Sequence, residues 1–190
     1  MESTLQCSVC LKPDPLCSTN LDIPICAKCW KDPGPRKQGG FNFTFEAEID
    51  KITSKIFLGN EEAQKRKRVL KALGVTNILV MGSGLDILHK DDFIYKRIEI
   101  DDFYSENIGQ YFEETYNFIE KAIGNVYVHC VAGISRSPSV VIAYIMRKEG
   151  KNFEEAMQFV KERRTCVNPN EGFIKQLKKY GEKIKNYSKI

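Results

Sequence analysis

Val126-Tyr127-Val128-His129-Cys130-Val131-Ala132-Gly133-Ile134-Ser135-Arg136-Ser137-Pro138 is the stretch on which the fold of this chain turns. An apolar, strand-like segment from Val126 to His129 runs into a short loop, and a helix-like segment from Ser137 to about Lys148 leaves it. Ser137 suits a helix N-cap. Pro138 suits the first helical position, where its missing N–H would be unpaired in any case. Gly133 can take a backbone angle that other residues avoid. Successive N–H groups in such a loop can converge on one point, and the helix dipole adds partial positive charge there. The reading is an anion site of phosphate size at a strand–loop–helix junction.

Outward from this junction, strand-like and helix-like segments alternate. Lys55 to Leu58, Val75 to Met81 and Phe93 to Ile100 read as strands. Glu61 to Leu73 reads as a helix, with Asn60 as cap and Gly74 as terminator. Ile108, Phe112, Thr115, Ile119 and Ala122 fall on one face of a second helix, which stops at Gly124. Phe153, Met157 and Val160 mark a later helix, and Phe173, Leu177, Tyr180 and Ile184 another. The expected class is α/β, with a central, mostly parallel sheet flanked by helices on both faces.

The chemistry lies in the loop. Cys130 opens it, so its sulfur faces the same positive concavity, which favours the thiolate. Arg136 closes it, where a planar guanidinium can hold two phosphate oxygens. A thiolate nucleophile, an oxyanion cradle and a bidentate cation around one phosphate describe phosphoryl transfer to cysteine. A lone cysteine after a strand is usually just buried. His129, Cys130, Gly133, Arg136, Ser137 and Pro138 together at one junction are much harder to obtain by chance. The leaving group also needs a proton and the attacking water a base, and one carboxylate can serve both. Asp101 and Asp102, just past the strand ending at Ile100, are the candidates.

His-Cys-x-x-Gly-x-x-Arg-Ser resembles the signature of cysteine-dependent protein phosphatases, and Ala132 to Ser137 its form in the dual-specificity branch. Ala143-Tyr144-Ile145-Met146 and Asn168 to Phe173 resemble two further segments of that branch, so that the likeness covers roughly residues 45 to 187. It implies a phosphocysteine intermediate on Cys130, with Arg136 holding the phosphoryl group and the amides of Val131, Ala132, Gly133, Ile134, Ser135 and Arg136 binding its oxygens. Ser137 would help the sulfur leave, while His129 and Asn170 would be supporting residues. In the family pattern the acid lies ten residues before a helical aromatic, here Phe112, which selects Asp102 over Asp101. Phe103 and Tyr104, which follow it, are more aromatic than the family usually carries. No long phosphotyrosine-recognition insert surrounds the motif, so the pocket is expected to be shallow. It would then accept phosphoserine and phosphothreonine as well as phosphotyrosine. Val131, Ala132 and Ile134 contain no Lys or His, which ranks lipid- and RNA-directed relatives lower.

Five of the seven cysteines lie within the first 29 residues. Cys7-x-x-Cys10 and Cys26-x-x-Cys29, fifteen residues apart, are expected to bring four sulfurs around a structural Zn²⁺. Metal binding would supply the folding energy of so small a segment. The bland alternative is reactive thiols without a ligand, and Cys17 stands as a spare thiol or a further ligand. Ile25 and Trp30 could pack the module onto the remaining chain. Asp32 to Gly40 holds two prolines and three glycines and no apolar side chain. The expected division is a zinc-binding module over 1–31, a linker over 32–44 and a phosphatase domain over 45–187. Catalysis would need no cofactor.

Hydrophobic residues make up 42% of the 190-residue chain and charged residues 28%, a balance that can bury a core and excludes disorder throughout. A net charge of +4 is too small to imply a nucleic-acid partner. Residues 91–120 hold nine acids and two bases, and 161–190 nine bases and three acids, a split more often explained by solvated helix faces than by a charged partner. The longest apolar run, Val140 to Met146, is far shorter than the ~20 residues of a membrane span. No signal peptide or myristoylation glycine is legible at the N-terminus, so a cytoplasmic protein is expected. Lys65-Arg66-Lys67-Arg68 also reads as a nuclear import signal, although a solvated helix face explains it as well. The leading expectation is a phosphatase acting on phosphorylated proteins, its zinc module free to dock a protein. The alternatives are a phospho-binding adaptor that has lost turnover and a zinc-dependent nucleic-acid binder.

Overall fold

Short apolar segments, the central ones buried along nearly their whole length, build a five-stranded sheet in the computed structural model, which describes residues 6–11, 16–17, 24–26, 29 and 48–187. Near the N-terminus, β1 (Leu16–Cys17) and β2 (Ile25–Cys26) pair antiparallel. The main sheet comprises β3 (Ile49–Lys51), β4 (Ile56–Gly59), β5 (Val75–Met81), β6 (Ile94–Ile98) and β7 (Asn125–His129). Their order is β3-β4-β7-β5-β6. All neighbours run parallel except β3, a short antiparallel edge strand that the sequence reading did not include.

Period two sends successive β7 residues to opposite faces. Val126 and Val128 join Ile56, Leu58, Leu79 and Met81 in one core, under α3 (Phe112–Lys121), α4 (Arg136–Glu149), α5 (Phe153–Arg163) and α6 (Glu171–Tyr187). Tyr127 turns the other way and joins Phe57, Ile78 and Val80. There Val69, Leu70 and Leu73, from α2 (Lys67–Ala72) and the residue after it, cover the sheet. Helices therefore flank both faces, as expected. In register, Gly59 lies opposite His129 and His129 opposite Val80, so three parallel strands end together. Open α/β sheets place ligands at such carboxyl ends.

Three local expectations are corrected. The helix read over 61–73 is two short ones, α1 (Glu61–Gln64) and α2. One unbroken helix burying Ala63 and Gln64 would turn Arg66, Lys67 and Arg68 inward at the next turn. The break lets Val69 and Leu70 face the core instead. Lys65 pairs with Glu62 at 2.5 Å and Lys67 with Asp92 at 2.5 Å, while Arg68 Nη2 donates to Val9 O at 3.3 Å. Second, the segment from Ile108 begins as a 3-10 turn, Ile108–Tyr111, before α3. Third, the N-cap of α4 is Ser135, not Ser137: the Ser139 amide donates to Ser135 O at 3.0 Å, closing the first helical turn two residues earlier. Pro138 is then the third helical residue, still in the first turn where no partner is lost.

Ile25 is buried in one apolar cluster with Cys7, Cys29, Ile49, Phe57 and Tyr127, so the front of the chain does pack against the sheet. Trp30 and the linker expected over 32–44 lie outside the described residues.

Candidate active site

Between the end of β7 at His129 and the start of α4 at Arg136, the backbone carbonyls are bonded one after another to groups outside the loop. Val131 O accepts from the Glu61 amide at 2.9 Å. Ala132 O and Gly133 O accept from Arg164, through Nη2 at 3.0 Å and Nε at 2.9 Å. Ile134 O accepts from the Asn168 amide at 2.8 Å, and Ser135 O from the Ser139 amide and hydroxyl at 3.0 and 2.8 Å. Carbonyls held outward leave the loop amides to the concave side, the geometry of an anion nest. Gly133 adopts φ +69°, and a Cβ there would lie 2.3 Å from Gly59 O, so both torsion and space require glycine.

The Cys130 sulfur is buried beneath this concavity. It accepts from the Gly133 amide at 3.3 Å and from Ser137 Oγ at 3.2 Å. Two donors therefore converge on one sulfur. His129 is buried as well, with its ring stacked on Tyr127 at 5.3 Å. Burial pushes its pKa down to about 4, so the imidazole is neutral near pH 7. Its Nδ1 lies 3.2 Å from Cys130 O. His129 therefore fixes the peptide of the cysteine and adds no positive charge beside the sulfur.

Arg136 Nη1 donates to Ile100 O at 3.3 Å, and its Nε lies 4.0 Å from Asp102 Oδ2. Gly82 makes room for it, since a Cβ there would come within 2.8 Å of Nη1. Asp102, on the loop after β6, is clamped through one oxygen. Its Oδ1 accepts from Ser135 Oγ at 2.7 Å and from Asn170 Nδ2 at 2.8 Å, which leaves Oδ2 toward Arg136. Asn170 also caps α6 by accepting the Phe173 amide at 3.0 Å, and its own amide donates to Ser135 Oγ at 3.1 Å. Cys130, Arg136, Ser137, Asp102 and Asn170 thus converge, and Asp101 makes no comparable bond.

Sequence reading missed Arg164 and its partners. Almost wholly buried, this guanidinium donates to Asp50 at 2.6 Å and to Glu48 at 2.8 Å besides the two loop carbonyls. Burial opposes its charge, yet the Asp50 and Glu48 carboxylates raise its pKa above the usual guanidinium value. One signal was available: Ala156, Val160 and Arg164 share the helical stripe that faces the core, an odd place for a charge. Asn60 was read only as a helix cap. Its carbonyl also accepts from the buried Tyr127 hydroxyl at 2.5 Å, and its side chain accepts from the Glu48 amide at 3.2 Å.

At the front, the sulfurs of Cys7, Cys10 and Cys29 all lie within 4.8 Å of one another. The Val9 amide donates to Cys7 Sγ at 3.4 Å, and Leu11 closes the turn at φ +60°. Cys26 lies in β2, its side chain outside the described residues, and Cys166 is exposed.

A strand–loop–helix cradle around a cysteine, with an arginine at its far end and a clamped carboxylate beside that arginine, is equipped to hold a phosphate ester next to a sulfur nucleophile. Residues 56–183 match the family described as "Dual specificity phosphatase, catalytic domain", and the chain belongs to that family. Dual specificity protein phosphatase 1B of Arabidopsis thaliana is 39% identical over 140 residues, which cover 72% of this chain and 84% of the relative. Dual specificity protein phosphatase 1 of the same plant is 43% identical over 129 residues, 66% of this chain but only 65% of the relative. Among solved structures, the human tyrosine phosphatase-like serine/threonine/tyrosine-interacting protein superposes with a TM-score of 0.70 at 36% identity, covering 73% of this chain and 97% of that one. The matched domain is that of a protein phosphatase, and catalysis in this family needs no cofactor. Among the described residues no helix is long and apolar enough to cross a membrane.

Proposed function

We propose that the chain hydrolyses phosphotyrosine and phosphoserine or phosphothreonine in proteins through a phosphocysteine on Cys130. The observation that carries this reading is the Cys130 sulfur, held by Gly133 N and Ser137 Oγ inside a loop whose carbonyls are bonded outward. In the first step the thiolate attacks phosphorus, the S–P bond forms and the ester P–O bond breaks. Arg136 and the amides from Val131 to Arg136 carry the charge on the equatorial oxygens. Protonated Asp102 gives its proton to the departing oxygen. In the second step the Asp102 carboxylate takes a proton from water, whose oxygen attacks phosphorus. The P–S bond breaks, and the Ser137 hydroxyl stabilises the returning thiolate.

Residues 45–187 would form the catalytic domain, and 32–44 would link it to a module over 1–31. In that module Cys7, Cys10, Cys26 and Cys29 would hold one structural Zn²⁺, a role supported by three clustered sulfurs and the CxxC spacing. The module would serve stability or protein docking, and the enzyme would work in the cytoplasm, with the nucleus as a second compartment.

The test is phosphate release from phosphotyrosine and phosphothreonine peptides. Cys130→Ser is expected to abolish release while keeping peptide binding. Retained turnover would overturn the mechanism, and release from neither peptide by the parent protein would favour an adaptor.

A further inference from the structure

Single apolar side chains in water are ordinary, but several gathered in one place mark a surface that something covers. Around the catalytic cysteine they are concentrated. Phe103 is 64% exposed, Tyr104 57%, Val131 40% and Ile134 38%. Elsewhere among the described residues, Leu11, Ile94 and Ile123 are the exposed large hydrophobics. The four belong to two segments at the anion nest. Val131 and Ile134 rise from the loop itself, on either side of Ala132 and Gly133. Phe103 and Tyr104 directly follow Asp102, whose carboxylate is tied to Ser135 and Asn170.

This second segment is held in place. A Cβ on Gly172 would lie 2.1 Å from Tyr104 O, so the loop rests directly on the start of α6. Lys175 Nζ bonds the Tyr104 hydroxyl at 2.6 Å and lies 5.0 Å from its ring centre. Tyr104 is thus positioned against the helix before substrate arrives.

Charge around the nest narrows the occupant. Arg164, the guanidinium bonded to the loop from behind, is occupied by Asp50 and Glu48 and is buried. Lys175 is committed to Tyr104. Glu61, whose backbone amide bonds Val131 O, adds a carboxyl group beside the loop. Acidic residues beside the phosphate would therefore meet apolar surface and this carboxyl group.

We propose that Phe103, Tyr104, Val131 and Ile134 form a specificity rim for phosphopeptides with large apolar residues immediately flanking the phosphorylated one. This rests on the phosphatase reading above. The phosphate enters the nest, and the neighbouring side chains of the peptide cover the rim, one side on the loop and the other on the Phe103-Tyr104 segment.

The experiment compares kcat/KM for two phosphotyrosine peptides that differ only in their flanks, Leu and Phe on one and Asp and Glu on the other. The apolar-flanked peptide is expected to be preferred by about tenfold, the worth of one or two partly buried apolar contacts. In Phe103→Ser and in Ile134→Ser that ratio should fall toward one, and because it is a ratio within each variant, a change in the chemistry itself cancels. Equal kcat/KM for the two peptides, or an unchanged ratio in both variants, would overturn the rim. So would faster release from vesicles containing a phosphorylated inositol lipid than from either peptide, since the rim would then face acyl chains or headgroups. A generic aryl phosphate run beside them separates the two readings: if it too is not hydrolysed, the phosphatase reading fails and not the rim alone.

Discussion

Arg164 Nε donates to Gly133 O at 2.9 Å across 31 residues of sequence, from behind the catalytic loop. The same guanidinium reaches Ala132 O, so one side chain turns two consecutive peptide planes. A peptide whose carbonyl is held on one side presents its N–H on the other. The Gly133 amide that points at the Cys130 sulfur belongs to the plane between Ala132 and Gly133, which Arg164 fixes directly. Arg164 thus positions the nest without touching substrate.

Arg164→Lys keeps the charge and loses the fork, since an ammonium cannot serve two carbonyls and two carboxylates in one plane. Turnover is expected to fall about tenfold to a hundredfold, in line with the cost of small misplacements near reacting atoms. Affinity for vanadate, measured well below the unfolding temperature, should weaken in parallel. Unaltered vanadate affinity would leave Arg164 with only a packing role.

The Asp102 clamp allows a cleaner separation. Asn170→Ser keeps a helix-capping oxygen for α6 but removes the amide that donates to Asp102. Stability should change by less than about 1 kcal/mol, while kcat for an alkyl phosphate falls by about tenfold with KM unchanged. Asp102→Asn should cost about 10²–10⁴ on the same substrate and far less on an aryl phosphate with a strongly electron-withdrawing ring, whose acidic phenol departs without a proton. An equal loss on both substrates would remove Asp102 from the role of acid.

How much of this was legible in the residues depends on range. Cys130, Gly133, Arg136 and Ser137 lie within eight positions, and the physics of a loop at a helix start is local, so the order of residues was enough. Asp102 and Asn170 needed a family pattern to be selected. Arg164 showed only as a charge on a core-facing stripe, and its partners Glu48 and Asp50 were invisible because these contacts span 116 and 114 residues and depend on β3, a three-residue strand too short for a periodic signal. The misplaced cap has a different cause. Ser135 and Ser137 both suit an N-cap, but both hydroxyls are spent elsewhere, on Asp102 and on the Cys130 sulfur, so only the backbone bond from Ser139 to Ser135 O marks where the helix starts.

His129 makes a prediction about pH. Its pKa is about 4 in the folded chain and near 6.5 when exposed, so between these values the unfolded chain binds a proton that the folded one refuses. Stability from this residue is present above pH 6.5 and is lost as pH falls toward 4. By pH 5 the loss amounts to about 2 kcal/mol. Urea unfolding at pH 7 and pH 5 should show it as the difference between the parent and His129→Gln, whose side chain does not titrate. Equal pH dependence in both proteins would mean that the histidine is charged, or solvated, in the folded state.

Metal removal should reach the active site through β3. Ile49 shares the apolar cluster of Cys7, Ile25 and Cys29, while its neighbours Glu48 and Asp50 hold Arg164 on the other side of the strand. If the cysteines hold Zn²⁺, the full chain as purified should contain one ion per molecule. Chelation would then remove the ordering of the front segment and with it the packing over Ile49. Expected outcomes are a lower unfolding temperature and a several-fold weaker vanadate affinity, both restored by adding Zn²⁺. Cys7→Ser should reproduce the two effects without chelator. Normal vanadate affinity in a zinc-free chain would show that the strand holds its carboxylates in place unaided, and full thermal stability in Cys7→Ser would dismiss a structural metal.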